Sequence, residues 1–250
     1  MDFKNNKTII IGASRSIGSK IAEKFAIEGS DLILIARNKE LLNLIKKNLV
    51  KYNVEVEIIK SDFSKEKNRK ILSDKLNTKK FNFNNLINVA GTQFSSTINN
   101  SKYDDWLNTF EINFFSYVDF IPKIINKFEK NSSIVNISSI SSLLSSASLG
   151  VYGSSKAALN HFTKTSAVEY SKKLIRVNSI LPGLVETENL QNMFKYYSKD
   201  KKIELEKKHL LGFGKTDDIA NATSFLCSSK AQWITGTTLI VDGGFSLNNI

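Results

Sequence analysis

The 250-residue sequence predicts an α/β protein, a single domain built on one doubly wound parallel sheet. Three observations predict it. Short runs rich in Ile, Leu and Val alternate along the chain with longer segments whose apolar residues recur every three to four positions. The short runs are nearly continuous in apolar character, as strands buried on both faces are. No repeat or domain boundary interrupts the pattern, and with only two prolines there is little room for a structureless linker. Strands separated by helices pair in parallel, and right-handed crossovers then cover both faces of the sheet.

The elements follow in order. "KTIIIGAS" reads as a buried strand ending at Gly12. From Ile17 the period lengthens: Ile17, Ile21 and Phe25, with Ala22 and Ala26 beside them, predict a helix that Gly29 ends. "DLILIAR" is a second strand, "KELLNLIKKNLVKY" a helix, "VEVEIIKSD" a third strand and "NLINVAG" a fourth. A long helix is predicted through "YDDWLNTFEINFFSYVDFIPKIINKFEK", which Pro122 should kink or break. "SIVNISS" is the fifth strand, "YGSSKAALNHFTKTSAVEYS" a helix and "IRVNSILPG" the sixth strand. After an irregular basic stretch come a helix at "DDIANATSFLCSS" and a closing strand at "TTLIVDGG".

Composition removes several classes of function. Hydrophobic residues at 41% and charged residues at 24% are those of an ordinary globular chain. One cysteine, Cys227, excludes an intramolecular disulfide and speaks against a cysteine-based zinc site, so no metal is expected. The N-terminal "MDFKNNKTIIIGAS" lacks a signal-length apolar core, and no apolar run reaches the roughly 18 residues that would cross a membrane. A cytoplasmic protein with no membrane partner is expected. The net charge of +11 reflects a lysine-rich composition, and the lysine pairs at 46–47, 79–80, 172–173, 201–202 and 207–208 are dispersed. They form no stripe interleaved with aromatics, which argues against nucleic acid as a partner.

In a doubly wound sheet, ligands bind beyond the carboxyl ends of the strands. The segments to examine are therefore Gly12–Gly18, Arg37, Asp62, Asn88–Gly91, Ser138–Ser139 and Pro182–Thr187. "GASRSIG" opens a helix directly after the first strand, where a tight turn aims backbone N–H groups and the positive helix end at a pyrophosphate. Gly12 and Gly18 supply the permissive positions; Ser16 stands where a middle glycine would, and its hydroxyl can cap the helix, meet the phosphate, or do both. The second strand ends in Ala36-Arg37, with no carboxylate to grip a ribose 2′-hydroxyl. Arg37, with Arg15 as a second cation, suits a 2′-phosphate, so the expected cofactor is NADP(H) rather than NAD.

Further on, "LGVYGSSKAAL" places Tyr152 and Lys156 one helical turn apart, behind the serine-rich run "ISSISSLLSSAS". The pair alone is weak. With seven tyrosines and so many lysines, about one such pair is expected by chance, and Tyr197 and Lys201 repeat the spacing.

Taken in order, these segments resemble the short-chain dehydrogenase/reductase family over nearly the whole chain, and the fold this implies is the Rossmann fold. "GASRSIG" resembles the family's glycine turn, Asp62 in "SDF" its adenine-side aspartate, and "NVAG" its Asn-Asn-Ala-Gly segment with Val89 in place of the second Asn. "EINFFS" carries Asn113 at the helix asparagine, "IVNISS" and "YGSSK" match the catalytic segment, and "LPGLVET" and "ITGTTLIVDGG" resemble the nicotinamide loop and the closing strand. The family's catalytic serine lies thirteen residues before its tyrosine: Ser139 stands there for Tyr152, whereas Tyr197 has Leu184.

The resemblance implies a catalytic set of Asn113, Ser139, Tyr152 and Lys156. It implies cofactor contacts from Gly12, Ser14, Arg15, Ser16, Ile17, Gly18, Arg37, Asp62, Phe63, Asn88, Ala90, Gly91, Tyr152, Lys156, Pro182, Gly183, Val185 and Thr187. The chemistry is reduction of a ketone. A nearby ammonium should lower the pKa of the phenol that gives the proton, Ser139 should donate to the carbonyl oxygen, and Asn113 should hold a water linking Lys156 to solvent. The resemblance runs closest to β-ketoacyl-acyl-carrier-protein reductases, with Lys130 and Lys173 where those enzymes meet the acidic carrier. "GTQFSSTINN" departs from them. A keto-sugar or nucleotide-sugar reductase, a small secondary alcohol dehydrogenase and a non-catalytic NADPH-binding regulator are the alternatives. A substrate lid is expected around residues 186–215. A homotetramer is expected, with Phe110, Phe114, Phe115 and Phe162 as candidate contacts.

Overall fold

Alternate residues of a strand point to opposite faces of a sheet, so a run such as Ile9-Ile10-Ile11 needs apolar cover on both sides. Ile10 packs in one cluster with Leu32, Leu34, Phe25 and Ile219, while Ile9 and Ile11 pack in a second with Ile33, Ile35, Phe120 and Leu159. The computed structural model describes residues 3–248; Met1, Asp2, Asn249 and Ile250, which the expected domain also spans, lie outside the described residues.

Among the described residues the elements run β1 (Lys7–Ile11), α1 (Ser16–Ile27), β2 (Asp31–Ala36), α2 (Lys39–Leu49), β3 (Val56–Lys60), α3 (Glu66–Asn77), β4 (Phe83–Asn88), α4 (Tyr103–Phe110), α5 (Ser116–Ile124), β5 (Phe128–Ile137), α6 (Gly150–Tyr170), β6 (Arg176–Pro182), α7 (Glu188–Phe194), α8 (Lys199–Lys208), α9 (Thr216–Cys227) and β7 (Thr238–Val241). The strands form one parallel sheet in the order β3-β2-β1-β4-β5-β6-β7. Helices α1, α2 and α9 supply one core cluster and α3, α5 and α6 the other. The chain reverses direction across the sheet between β1 and β4, and there the crevice opens at the carboxyl ends of the strands.

The seven strands fall where the apolar runs predict them. Other elements differ. Helix α3 has no counterpart in the sequence reading, and the basic stretch forms α7 and α8. The predicted long helix is interrupted at a π turn, Glu111–Phe115, between α4 and α5; Pro122 lies inside α5. A π turn takes up one extra residue and widens the helix locally. Strand β5 begins at Phe128, with an irregularity opposite Phe83–Asn85, so "FEK" is strand and not helix. No described helix is long and apolar enough to cross a membrane.

Candidate active site

The ends of β1, β2 and β4 are knit together by backbone bonds: Gly12 N–H to Ile35 O (2.8 Å) and Ala90 N–H to Ile11 O (3.0 Å). Gly12 has φ +89°, and a Cβ there would stand 2.5 Å from Ala90 N, so this turn requires glycine. Ser16 also lies in the left-handed region, at φ +46°, which costs a non-glycine residue about 1 kcal/mol. The capping alternative for Ser16 does not hold. The N-cap of α1 is Arg15, no side chain caps the helix, and no acidic residue occupies its first turn. The first amides of α1 are thus open to an anion.

Arg37 and Asp62, at the ends of β2 and β3, line a cavity of about 480 Å³ with Lys60, Ser61, Asn68 and Lys75. The buried Ser61 Oγ has no partner among the described residues. An orphaned hydroxyl, the exposed Arg37 end and open helix amides fit a phosphorylated dinucleotide. Arg15 is directed elsewhere, 3.7 Å from Glu188 at the start of α7, and both groups are exposed. Asp62 accepts from Ser64 N (3.1 Å) and Ser64 Oγ (2.7 Å). Phe63 turns its ring into the core against Tyr117 and Phe120, so what it offers a cofactor is backbone.

Asn88 is fully buried and donates to Asn136 Oδ1 (2.7 Å), which holds the end of β4 to β5. The Tyr117 phenol donates to Ala90 O, fixing the next residues. A Cβ on Gly91 would lie 3.0 Å from Asn113 Oδ1 and 3.3 Å from Lys156 Nζ, so these three predicted residues meet. Asn113 sits in the π turn. Its Oδ1 accepts from Thr92 N (2.8 Å) and its Nδ2 donates to Thr92 O (2.9 Å) and Ser155 Oγ (3.0 Å). With the side chain so engaged, any water relay from Asn113 would start at its backbone carbonyl.

Ser139 ends the β5 segment, and its hydroxyl accepts from Ser141 N (3.1 Å), starting a short 3₁₀ turn. Helix α6 brings Tyr152 and Lys156 to face it. Lys156 is 3% exposed, donates to Ile137 O (2.9 Å) and lies 6.0 Å from the Tyr152 ring centroid. Burial pushes its pKa down to about 8. Burial also raises the pKa of Tyr152, and a hydrogen bond from the facing Ser139 hydroxyl opposes part of that rise. The expectation of a lowered phenol pKa is therefore corrected: burial of the ring oxygen is the larger effect, and it raises the pKa.

At the end of β6, Pro182 and Gly183 lead into Val185, which pairs with Gly214. Thr187 Oγ1 accepts from Leu190 N (3.3 Å) and caps α7. Lys130 and Lys173 lie at the amino ends of β5 and β6, where Asn131 N–H bonds Leu174 O (2.9 Å). That is the edge of the sheet away from Ser139 and Tyr152, so within one chain they do not flank the mouth of the site. Of the four phenylalanines named for self-association, Phe115 is exposed and Phe110, Phe114 and Phe162 are half-buried in a mutual ring cluster.

The structure adds residues the motifs do not name. A Cβ on Gly153 would stand 2.6 Å from Ser141 O, so only glycine lets α6 pack so closely on the Ser139 turn. A glycine inside a helical pattern is the signal that could have found it. Arg69, 3% exposed, binds Glu111 (2.7 Å), Asp119 (2.8 Å) and Phe63 O (2.9 Å), joining the turn after β3 to the π turn.

A family model described as enoyl-(acyl carrier protein) reductase matches residues 12–246. The chain is 33% identical to L-xylulose reductase of Caenorhabditis elegans, over 99% of this chain and 98% of that one. It is 29% identical to 7α-hydroxysteroid dehydrogenase of Escherichia coli K12, over 94% and 92%. Among solved structures, L-sorbose reductase from Gluconobacter frateurii, complexed with NADPH and L-sorbose, superposes with TM-score 0.90 at 28% identity, over 98% of each chain.

Proposed function

The chain belongs to the short-chain dehydrogenase/reductase family, oxidoreductases that interconvert ketones and secondary alcohols, and from that premise we propose that it is an NADPH-dependent reductase of a small hydroxylated ketone of the keto-sugar class. The observation that carries the enzymatic reading is the convergence of Ser139, Tyr152 and Lys156 at the carboxyl end of β5, beside Asn113 and Gly91. NADPH, when bound, supplies the hydride. Arg37 would meet its 2′-phosphate, the first amides of α1 its pyrophosphate, and the segment from Pro182 to Thr187 its nicotinamide end.

The remaining chemistry belongs to the protein's own side chains. Tyr152 is protonated at neutral pH and can give its proton to the ketone oxygen; burial weakens it as an acid, and the hydrogen bond from Ser139 offsets part of that. Ser139 offers a second hydrogen bond to that oxygen as negative charge develops on it. The Lys156 ammonium stabilises the phenolate left behind, and its own shifted pKa lets it pass a proton on at a pH close to neutral.

Two observations favour the keto-sugar class over an acyl group on a carrier protein. L-xylulose reductase and L-sorbose reductase are both relatives named for sugars. The hydroxyl-rich loops 91–100 and 138–148 meet at the site, through Ser96 N–H to Ser148 O (2.9 Å), while Lys130 and Lys173 lie at the far edge. We include self-association through the Phe110–Phe115 ring cluster in the reading, with the exposed Phe115 as its outward member. The test is NADPH oxidation over a panel of ketoses, acyl-carrier thioesters and simple β-ketoesters, with NADH in parallel. Turnover of ketoses with NADPH is expected. Preference for the thioesters would restore the carrier reading, and binding of NADPH with no turnover on any ketone would indicate a non-catalytic regulator.

A further inference from the structure

We propose that His209 is a positioning residue: its neutral, Nδ1-protonated ring ties the last turn of α8 to the backbone amide of Leu184, at the start of the segment assigned to the nicotinamide end of the cofactor. The proposal rests on that assignment. A helix end leaves its last carbonyls without amide partners, and a histidine there can satisfy one. His209 follows α8 directly, is 3% exposed, and holds Nδ1 2.8 Å from Leu205 O. A carbonyl only accepts, so Nδ1 carries the hydrogen. The neutral ring then presents a lone pair at Nε2, and Leu184 N–H donates to it at 3.2 Å. Each partner requires the tautomer that the other requires.

The ring has little freedom to leave this arrangement. It stacks on Phe245 with centroids 4.4 Å apart and meets Phe213 edge-on at 5.3 Å. Leu184 and Glu186 are also joined to Gly214, through Gly214 N–H to Leu184 O (3.0 Å) and Glu186 N–H to Gly214 O (2.8 Å). Those ties are backbone to backbone and persist under any substitution at 209. The His209 tie is made by a side chain and couples α8 to the cofactor segment. Breaking it leaves the half-buried Leu184 amide unpaired and frees α8 to part from the loop.

Three variants of the full chain separate the two nitrogens. In His209→Gln the side-chain oxygen can accept from Leu184, as Nε2 does. In His209→Asn the amide can reach Leu205, as Nδ1 does, but not Leu184. His209→Phe keeps the ring stacking and neither polar tie. NADPH affinity is read by fluorescence titration, KM and kcat by ketone-dependent NADPH oxidation, and folding by thermal midpoint. Loss of this one hydrogen bond predicts NADPH binding about tenfold weaker in the Asn and Phe variants, with kcat within about threefold and with recovery to within about threefold in the Gln variant. A Gln variant no better than the Asn variant, or Asn and Phe variants that bind NADPH like the wild type, would overturn the proposal while leaving the cofactor assignment standing. Wild-type protein that binds no nicotinamide cofactor would overturn that assignment and the proposal with it.

Discussion

Tyr152 and Lys156 lie on α6 with the ammonium enclosed and bonded to a backbone carbonyl, whereas Tyr197 and Lys201, at the same spacing, straddle the start of α8. Tyr197 precedes that helix and is 38% exposed; Lys201 lies in its first turn and pairs at 2.8 Å with Glu204. The second pair is two surface side chains meeting water and a carboxylate. The first holds a charge where solvation is poor, and its environment shifts both partners' proton affinities. Spacing brings two groups within reach of each other; burial and the Ser139 hydroxyl set one of the pairs apart.

The comparison breaks first at the phenols. Tyr152→Phe should lower ketone reduction by about 10²–10⁴-fold, the range for loss of a general acid, with NADPH affinity nearly unchanged, and Tyr197→Phe should stay within about twofold. Steady-state kinetics on both variants decides it; turnover that survives the change at Tyr152 removes that residue from the chemistry.

The lysines differ in sign as well as size. Burial favours neutral Lys156, so its charged form opposes folding below about pH 8, and the opposition fades as pH rises from there toward 10.5, where the unfolded chain also loses the proton. Lys156→Met should therefore abolish most activity yet gain about 2 kcal/mol of stability at pH 7, after allowing for the lost bond to Ile137. The gain should shrink in urea melts run at increasing pH above 8. Lys201→Met should change stability by no more than about 0.5 kcal/mol. In the wild type, kcat/KM for reduction should decline as pH rises through about 8, when Lys156 loses its charge. A less stable Lys156→Met protein, or a flat pH profile, would contradict this account.

The smallest effect sharpens what sets the first pair apart. Gly153→Ala forces α6 off Ser141 O and moves Ser139 relative to Tyr152. A displacement of this kind should reduce kcat by about tenfold with the fold retained. Unchanged kcat would show that the Ser139 turn follows the helix without loss.

Strands were legible because Ile9–Ile11, Leu32–Ile35 and their like have no other stable home than a sheet covered on both sides. Their ends then located the glycine turn, Asn88, Ser139 and Pro182. Helix α3 was not legible. Its core face contains Leu72, Leu76 and the buried Arg69, which reads as a surface residue until Glu111 and Asp119 arrive from other elements. The same holds for His209, whose two bonds reach Leu205 on its own helix and Leu184 across the fold. The charge balance at Tyr152 and Lys156 also escaped the sequence, because desolvation is a property of the packed site and not of the pair.

The π turn at Glu111–Phe115 turns residue count into geometry. Each residue advances an α-helix by about 100°, and the wide turn takes up one extra residue so that α5 keeps the facing a regular continuation of α4 would give it. Removing one residue between 111 and 115 would close the turn and leave Tyr117, Phe120, Ile121 and Ile124 against the sheet, but it would draw Asn113 off Thr92 and Ser155. An indel that a surface loop would absorb here acts on the wall of the crevice. Variation in this stretch should therefore consist of substitutions, with the number of residues held constant.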